Sequence, residues 1–240
     1  MTSSVSPHTE RIERHRAGGG VIRDIVYGAH DGTITTFAVV AGAVGASLDH
    51  RVVLILGFAN LVADALSMGL GNFLGTKSEQ DFIKAERAEE EREVEEKPEE
   101  EKEEVRAIYR KKGLEGELLE QAVAVIIADK GRWVDTMMRE ELNLPSEHEL
   151  HPVRNGLLTF ASFVAAGFVP LAAYLIPGIG EMVFPLAIAF AGTTLFTVGA
   201  ARIFITGGRW WLAGMEMLAV GALAAISAYG IGAFASRLFT

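Results

Sequence analysis

Five stretches of this chain, about 25–48, 52–75, 156–176, 182–206 and 210–235, are apolar for long enough to cross a bilayer as helices, which takes roughly 20 residues each. Three of the joints between them are very short: Asp49-His50-Arg51, Pro177-Gly178-Ile179-Gly180-Glu181 and Gly207-Gly208-Arg209. Spans joined so tightly must be antiparallel neighbours. A large soluble helical core is the alternative, and five such runs in one chain argue against it.

The joint between the second and third stretches is different. Residues 77–150 hold 23 of the chain's 31 acidic residues and 13 of its 22 basic ones, a net charge of −10. The remainder, with 8 acids and 9 bases, is left at +1. The chain therefore reads as two physical objects, a near-neutral apolar body and an acidic polar insert. The expected fold is an all-α membrane protein of five transmembrane helices, with a three- to four-helix insert between helices 2 and 3. Its parts are a flexible tail over 1–20, helices 1–2 over 21–76, the glutamate-rich domain over 77–150 and helices 3–5 over 151–240. Lys and Arg sort the sides. Arg11, Arg14, Arg16, Arg23, Lys77, Arg154 and Arg209 fall on one side, and only Arg51 and Arg237 on the other. The positive-inside rule then puts tail and insert in the cytoplasm and the C-terminus outside.

Small residues recur at close-packing spacing in Gly28/Gly32, Ala38/Gly42/Ala46 and Gly71/Gly75. They fit packing within the bundle or a dimer interface, and spacing does not choose between these.

Within the insert, residues 78–97 favour helix, and Pro98 both stops that run and suits the first turn of the next, which reaches Lys112 before Gly113. Residues 115–128 carry an apolar stripe of Leu118, Leu119, Ala122, Val125 and Ile126 that needs a partner helix. A last helix covers about 131–142, ahead of Pro145. Glu90 and Glu93 precede Pro98, and Glu101 and Glu104 follow it; residues three apart share a helix face. Folded back at Pro98, the two pairs would oppose one another, as in helical bundles that hold iron or manganese. Met137, Met138 and Glu141 add a thioether-rich neighbour in the last helix. Against this stands composition: twelve acids fall within 86–104, so matches of this spacing arise in any solvated charge run.

Charged groups within the apolar body are few, and such groups are candidates for function. Asp24 and Asp31 lie two turns apart in the first stretch. Asp64 lies in the second, with Asn60 one turn before it and Met68 one turn after. Asp31 and Asp64 are expected to face each other or a watery path rather than lipid. Helix capping competes as a role for Asp24, and a structural role for Glu216 in the fifth stretch. Carboxylates with a thioether suit a divalent transition ion softer than Mg²⁺ or Ca²⁺, such as Fe²⁺. Cysteine is absent, which removes disulfides, thiolate zinc sites and cysteine nucleophiles. No clustered His motif, nucleophile elbow or Walker-type loop is present, so neither an enzyme nor an ATP-driven pump is expected.

The run Asp31-Gly32-Thr33-Ile34-Thr35-Thr36-Phe37-Ala38-Val39-Val40-Ala41-Gly42 resembles the first-span motif of the vacuolar iron transporter family. Ser67-Met68-Gly69-Leu70-Gly71-Asn72-Phe73-Leu74 and Trp133-Val134-Asp135-Thr136-Met137-Met138-Arg139-Glu140-Glu141 resemble that family too. The resemblance implies a homodimer that exports Fe²⁺, and Mn²⁺ or other divalent ions, from the cytoplasm in exchange for protons. It implies Asp24, Asp31 and Met68 in the path, and Glu90, Glu93, Glu101, Glu104, Met137, Met138 and Glu141 as metal ligands of the insert. Asn60 and Asn72 depart from the family pattern, standing where acids are expected, and Asp64 is a candidate replacement for the acid missing at Asn60.

The expected partners are divalent metal ions, protons, membrane lipid and a second copy of the chain, with no prosthetic group and no nucleic acid. Compact loops and the lack of a transit peptide suit a bacterial plasma membrane. Two rivals remain: a membrane-anchored metal sensor or buffer without transport, and a scaffold whose acidic insert docks a basic partner.

Overall fold

A computed structural model describes residues 7–203 and 207–239. Among them the chain is helical throughout, with no strand: α1 (Pro7–Gly45), α2 (His50–Glu96), α3 (Pro98–Lys111), α4 (Gly116–Ile127), α5 (Lys130–Glu140), α6 (Pro152–Ala172), α7 (Val183–Ala201) and α8 (Trp210–Phe239). Short 3₁₀ turns lie at Glu147–Glu149, Ala173–Leu175 and Gly180–Met182. The chain divides into two compact units, one of residues 1–74 and 152–240, the other of residues 75–151.

Four helical stretches are long and apolar enough to cross a membrane: His50–Glu96, Glu147–Leu175, Gly180–Ala201 and Trp210–Leu238. They carry the second to fifth apolar stretches of the sequence. The fifth candidate, α1, falls short by this measure because Asp24, His30, Asp31, Thr33, Thr35 and Thr36 dilute its apolar run. Two boundaries also differ from the sequence reading. The helix of α1 starts at Pro7, a residue suited to a first helical turn, so residues 7–20 are helical where a separate tail was expected. Residues 1–6 lie outside the described residues. No break separates the second apolar stretch from the first glutamate-rich run, both of which belong to the 47-residue α2; Thr76-Lys77-Ser78 contains neither proline nor glycine to end a helix.

In the larger unit, α1 packs chiefly on α6 and α8. Glycine permits both approaches. A Cβ on Gly28 would lie 2.6 Å from the Thr159 carbonyl oxygen, and one on Gly32 would lie 2.4 Å from that of Phe163. At the other end of α1, a Cβ on Gly232 of α8 would sit 2.0 Å from the Gly42 oxygen and 3.0 Å from the Ala46 nitrogen. The first two small-residue rows therefore serve packing inside the chain, whereas Gly71 and Gly75 have open space around them. Phe37, Val40, Val53, Leu61, Phe163 and Leu171 fill the core. Leucines and isoleucines such as Ile55, Leu70, Leu223 and Ile226 stay exposed on the outer faces, as lipid contact requires.

The smaller unit has its own core, built from Ile83, Val94, Val105, Leu119, Val123, Ile126, Trp133, Val134, Met137 and Met138. The buried face of α4 is Leu119, Val123 and Ile126, while Leu118 and Val125 of the expected stripe are exposed. Pro98 opens α3, and Gly113, at φ +94°, follows its C-terminal end. Asp129 caps α5 by accepting the Arg132 amide at 2.8 Å. Arg106 grips both carboxylate oxygens of Glu120, at 2.8 and 2.9 Å, and so ties α3 to α4.

Candidate metal sites

In the larger unit, Asp31 on α1 and Asp64 on α2 are each partly buried, and they lie close enough to interact electrostatically. The Asn60 amide donates to Asp64 Oδ2 at 2.9 Å, which is possible because the two side chains are stacked one turn apart. Met68 is partly buried one further turn along and packs on the core. His30 adjoins Asp31, a titratable neighbour that the sequence reading passed over. Asn60, Asp64 and Met68 thus follow one another turn by turn on α2, with Asp31 of α1 interacting electrostatically with Asp64. Carboxylate, amide and thioether are donor types that suit divalent ions, and the carboxylates can also take up a proton.

Asp24 is buried to 3% exposure. One oxygen accepts from Arg23 at 3.3 Å, and the other, Oδ2, has no hydrogen-bond partner. It lies well inside α1, so the capping role considered for it does not apply. Glu216 is held by Arg202, Nη2 to Oε2 2.7 Å, across the ends of α7 and α8. Nothing in local sequence spacing pairs these two, which are fourteen residues apart.

Asn72 is bound to α6. Its amide donates to the Thr159 hydroxyl at 2.7 Å and to the Asn155 carbonyl at 3.2 Å. Thr159 and Asn155 are both buried, and the sequence reading named neither. A clue was present in two polar residues, Asn155 and Thr159, one turn apart in an otherwise apolar helix.

The smaller unit brings together all five glutamates singled out by sequence. Glu90 and Glu93 come from the end of α2, Glu101 and Glu104 from α3, and Glu141 from the residue after α5. Burial first, and then the charges of Glu141, Glu101, Glu93 and Glu104, push the Glu90 carboxyl up to about 7. Burial and the charges of Glu104, Glu93 and Glu141 do the same for Glu101, also to about 7, with Lys97 opposing. Glu141 is raised by burial, by the charge of Glu104 and by a hydrogen bond with it. Glu90 and Glu101 are 6% and 4% exposed, and Oε2 of each is buried without a partner. Glu93 has a partial counter-charge in Lys97 at 3.1 Å.

Buried, mutually repelling carboxylates with unsatisfied oxygens are the chemistry that a divalent cation relieves. Even so, among the described residues no three His, Asp or Glu side chains stand arranged as a formed metal site. Like charges without a counter-ion hold apart, so a cation would have to draw them inward. Met137 and Met138 are 0% and 4% exposed and belong to the core of the unit. Packing accounts for their presence without a metal.

A model of the VIT family matches residues 22–233. The chain is 33% identical over 224 residues to vacuolar iron transporter 1 of Oryza sativa subsp. japonica, covering 93% of this chain and 89% of the relative. It is 37% identical over 220 residues to the vacuolar iron transporter of Toxoplasma gondii, covering 88% and 73%. Against vacuolar iron transporter 1 of Arabidopsis thaliana it is 33% identical over 232 residues, covering 94% and 92%. These relatives carry the names of transporters, not of enzymes. The match extends across the apolar bundle and the glutamate-rich unit together, and the chain belongs to the VIT family.

Proposed function

We propose that this protein carries divalent transition-metal ions, Fe²⁺ and also Mn²⁺, across a membrane. The observation that carries this reading is the pair of partly buried carboxylates, Asp31 and Asp64, on adjacent helices of an apolar bundle. Relatives at 33–37% identity named as iron transporters support it. The direction is out of the cytoplasm in exchange for protons. One carboxylate site holds either cargo, so protons arriving from the far side displace the metal there.

In this reading α1 is a fifth span over about 25–48, its polar residues turned toward other helices rather than lipid, with N-terminus and insert cytoplasmic. Glu90, Glu93, Glu101, Glu104 and Glu141 concentrate the cation by their field and bind it. Met137 and Met138 join as soft ligands when they turn out of the core. Asp31, Asn60, Asp64 and Met68 form the membrane station, and Asp24 belongs to the same path.

The protein acts as a homodimer. Ala59, Ala63 and Ser67 form an exposed row of small residues beside the half-exposed Asn60, Asp64 and Met68. Polar groups so placed would be costly against lipid, and a second copy shields them while leaving room for a watery path. The relatives are named for the vacuole, whereas the compact loops favour a bacterial plasma membrane as the site of action.

Flux of Fe²⁺ and Mn²⁺ into proteoliposomes tests the reading. Uptake is expected with native protein and a proton gradient, and is expected to be lost with Asp31→Asn. The rival reading, a membrane-anchored metal sensor or buffer, is favoured by tight metal binding with no flux.

A further inference from the structure

α6 carries none of the candidate ion ligands, yet it touches both helices that do, at two levels. At the first, Thr159 receives the Asn72 amide of α2 through its hydroxyl at 2.7 Å. Its carbonyl oxygen meanwhile lies against Gly28 of α1, 2.6 Å from where a Cβ would stand. Asn72 is one turn beyond Met68, and Gly28 is three residues before Asp31. Two turns further along α6, a Cβ on Gly167 would stand 2.7 Å from the Gly32 carbonyl oxygen of α1 and 2.7 Å from Leu61 Cδ1 of α2. Gly32 follows Asp31 directly, and Leu61 follows Asn60. The two levels bracket the Asp31–Asp64 pair.

We propose that Thr159 and Gly167 are positioning residues that set the separation of α1 and α2 at the membrane station, and so select which divalent ion is carried. The inference rests on the transport reading and adds to it a cause of ion choice. Packed interiors do not stretch continuously, so a helix wedged between two others fixes their spacing to within fractions of an ångström. Carboxylates held at a fixed spacing discriminate by ion size as well as by donor softness. Mn²⁺ is the larger of the two proposed cargoes, and Ca²⁺ is larger still.

Gly167→Ala inserts a methyl group 2.7 Å from the Gly32 carbonyl oxygen, where only hydrogen fits. It displaces α1 from α6 while Asn72 still ties α2 to α6, and the spacing of α1 and α2 changes. Thr159→Val keeps the size of the side chain but removes the hydrogen-bonded tie to Asn72. The KM values for Fe²⁺, Mn²⁺ and Ca²⁺ flux are measured in proteoliposomes for the full chain, for both variants and for Thr159→Ser, which retains the hydroxyl. The expected result is a shift of the Fe²⁺-to-Mn²⁺ KM ratio toward the larger ion, roughly threefold or more in Gly167→Ala and smaller in Thr159→Val, with the native ratio kept in Thr159→Ser. Thr159→Val is near-isosteric and keeps the test open should Gly167→Ala fail to fold. A fall in flux of all ions by one common factor, with the ratio unchanged, makes α6 a structural helix only and overturns the inference. Absence of flux in the native protein overturns the transport reading, and the inference with it.

Discussion

Asn60 and Asp64 are bonded side chain to side chain across one turn of α2, with Nδ2 2.9 Å from Oδ2. The amide holds one carboxylate oxygen, and in the proposed transport path the other is the one that would meet the cargo ion. An acid at position 60 would repel Asp64; asparagine orients it. Asn60→Ala is therefore expected to raise the KM for Fe²⁺ by roughly tenfold or more, the equivalent of one hydrogen bond to a charged group. Asp64→Asn, which removes the charge itself, is expected to lower flux further. Equal, small effects of both changes would show that the pair lies off the path.

Glu90 and Glu101 titrate at about 7 in the folded protein, against 4.5 ordinarily. The folded state therefore holds protons that the unfolded chain releases. By linkage, the stability these groups allow is fully present below pH 4.5 and is lost as the pH rises toward about 7. The loss is on the order of 3 kcal/mol, and the two groups share much of it because they repel each other. Hydrogen exchange across residues 75–151 of the full-length protein, corrected for intrinsic rates, should show less protection at pH 8 than at pH 5 without metal. Mn²⁺ should restore it at pH 8. Protection that is indifferent to both pH and metal would reduce the cluster to a solvated charge run.

Met137 and Met138 separate two roles, core filling and soft coordination. Met138→Leu conserves volume and should change stability by less than about 1.5 kcal/mol. If the sulfur turns out to meet the ion, metal titration will show weaker Fe²⁺ binding with Mn²⁺ binding unchanged. Glu101→Gln should weaken both ions by roughly tenfold or more, since it removes a buried charge that the cation neutralises. Unchanged binding in Glu101→Gln would remove that residue from the site.

The sequence contains no cysteine, so single-cysteine labelling reads the topology without background. Five spans place cysteines introduced by Asp49→Cys and Gly178→Cys on the outer side, and by Ser3→Cys, His148→Cys and Gly208→Cys on the cytoplasmic side. Labelling of positions 3 and 49 from the same side would mean that α1 does not cross.

The apolar helices and the acidic insert were legible because their signals are local: long hydrophobic runs, Pro98 as a breaker, glutamates three apart. Spacing across Pro98 pointed to Glu90, Glu93, Glu101 and Glu104 as neighbours; their carboxylates do interact electrostatically, without standing arranged as a metal site among the described residues. What escaped depends on partners distant in sequence. Glu216 is explained by Arg202, and Asn72 by Thr159, only once α7 meets α8 and α2 meets α6. Met138 reads as a ligand from its neighbours Arg139, Glu140 and Glu141, but its environment is set by Ile83, Val105 and Val134 in the core. The continuity of α2 from His50 to Glu96 was hidden by the change in composition near residue 76, which alters the solvent a helix prefers without ending the helix.

Fe²⁺ uptake into liposomes carrying the purified protein, measured with and without an opposing pH gradient, tests the central claim most directly. Uptake that accelerates when the lumen is the acidic side, alkalinises the lumen in step with metal entry, and disappears in Asp31→Asn is the predicted result. Metal that binds to the protein but never crosses, or crosses equally well with Asp31→Asn, would contradict it.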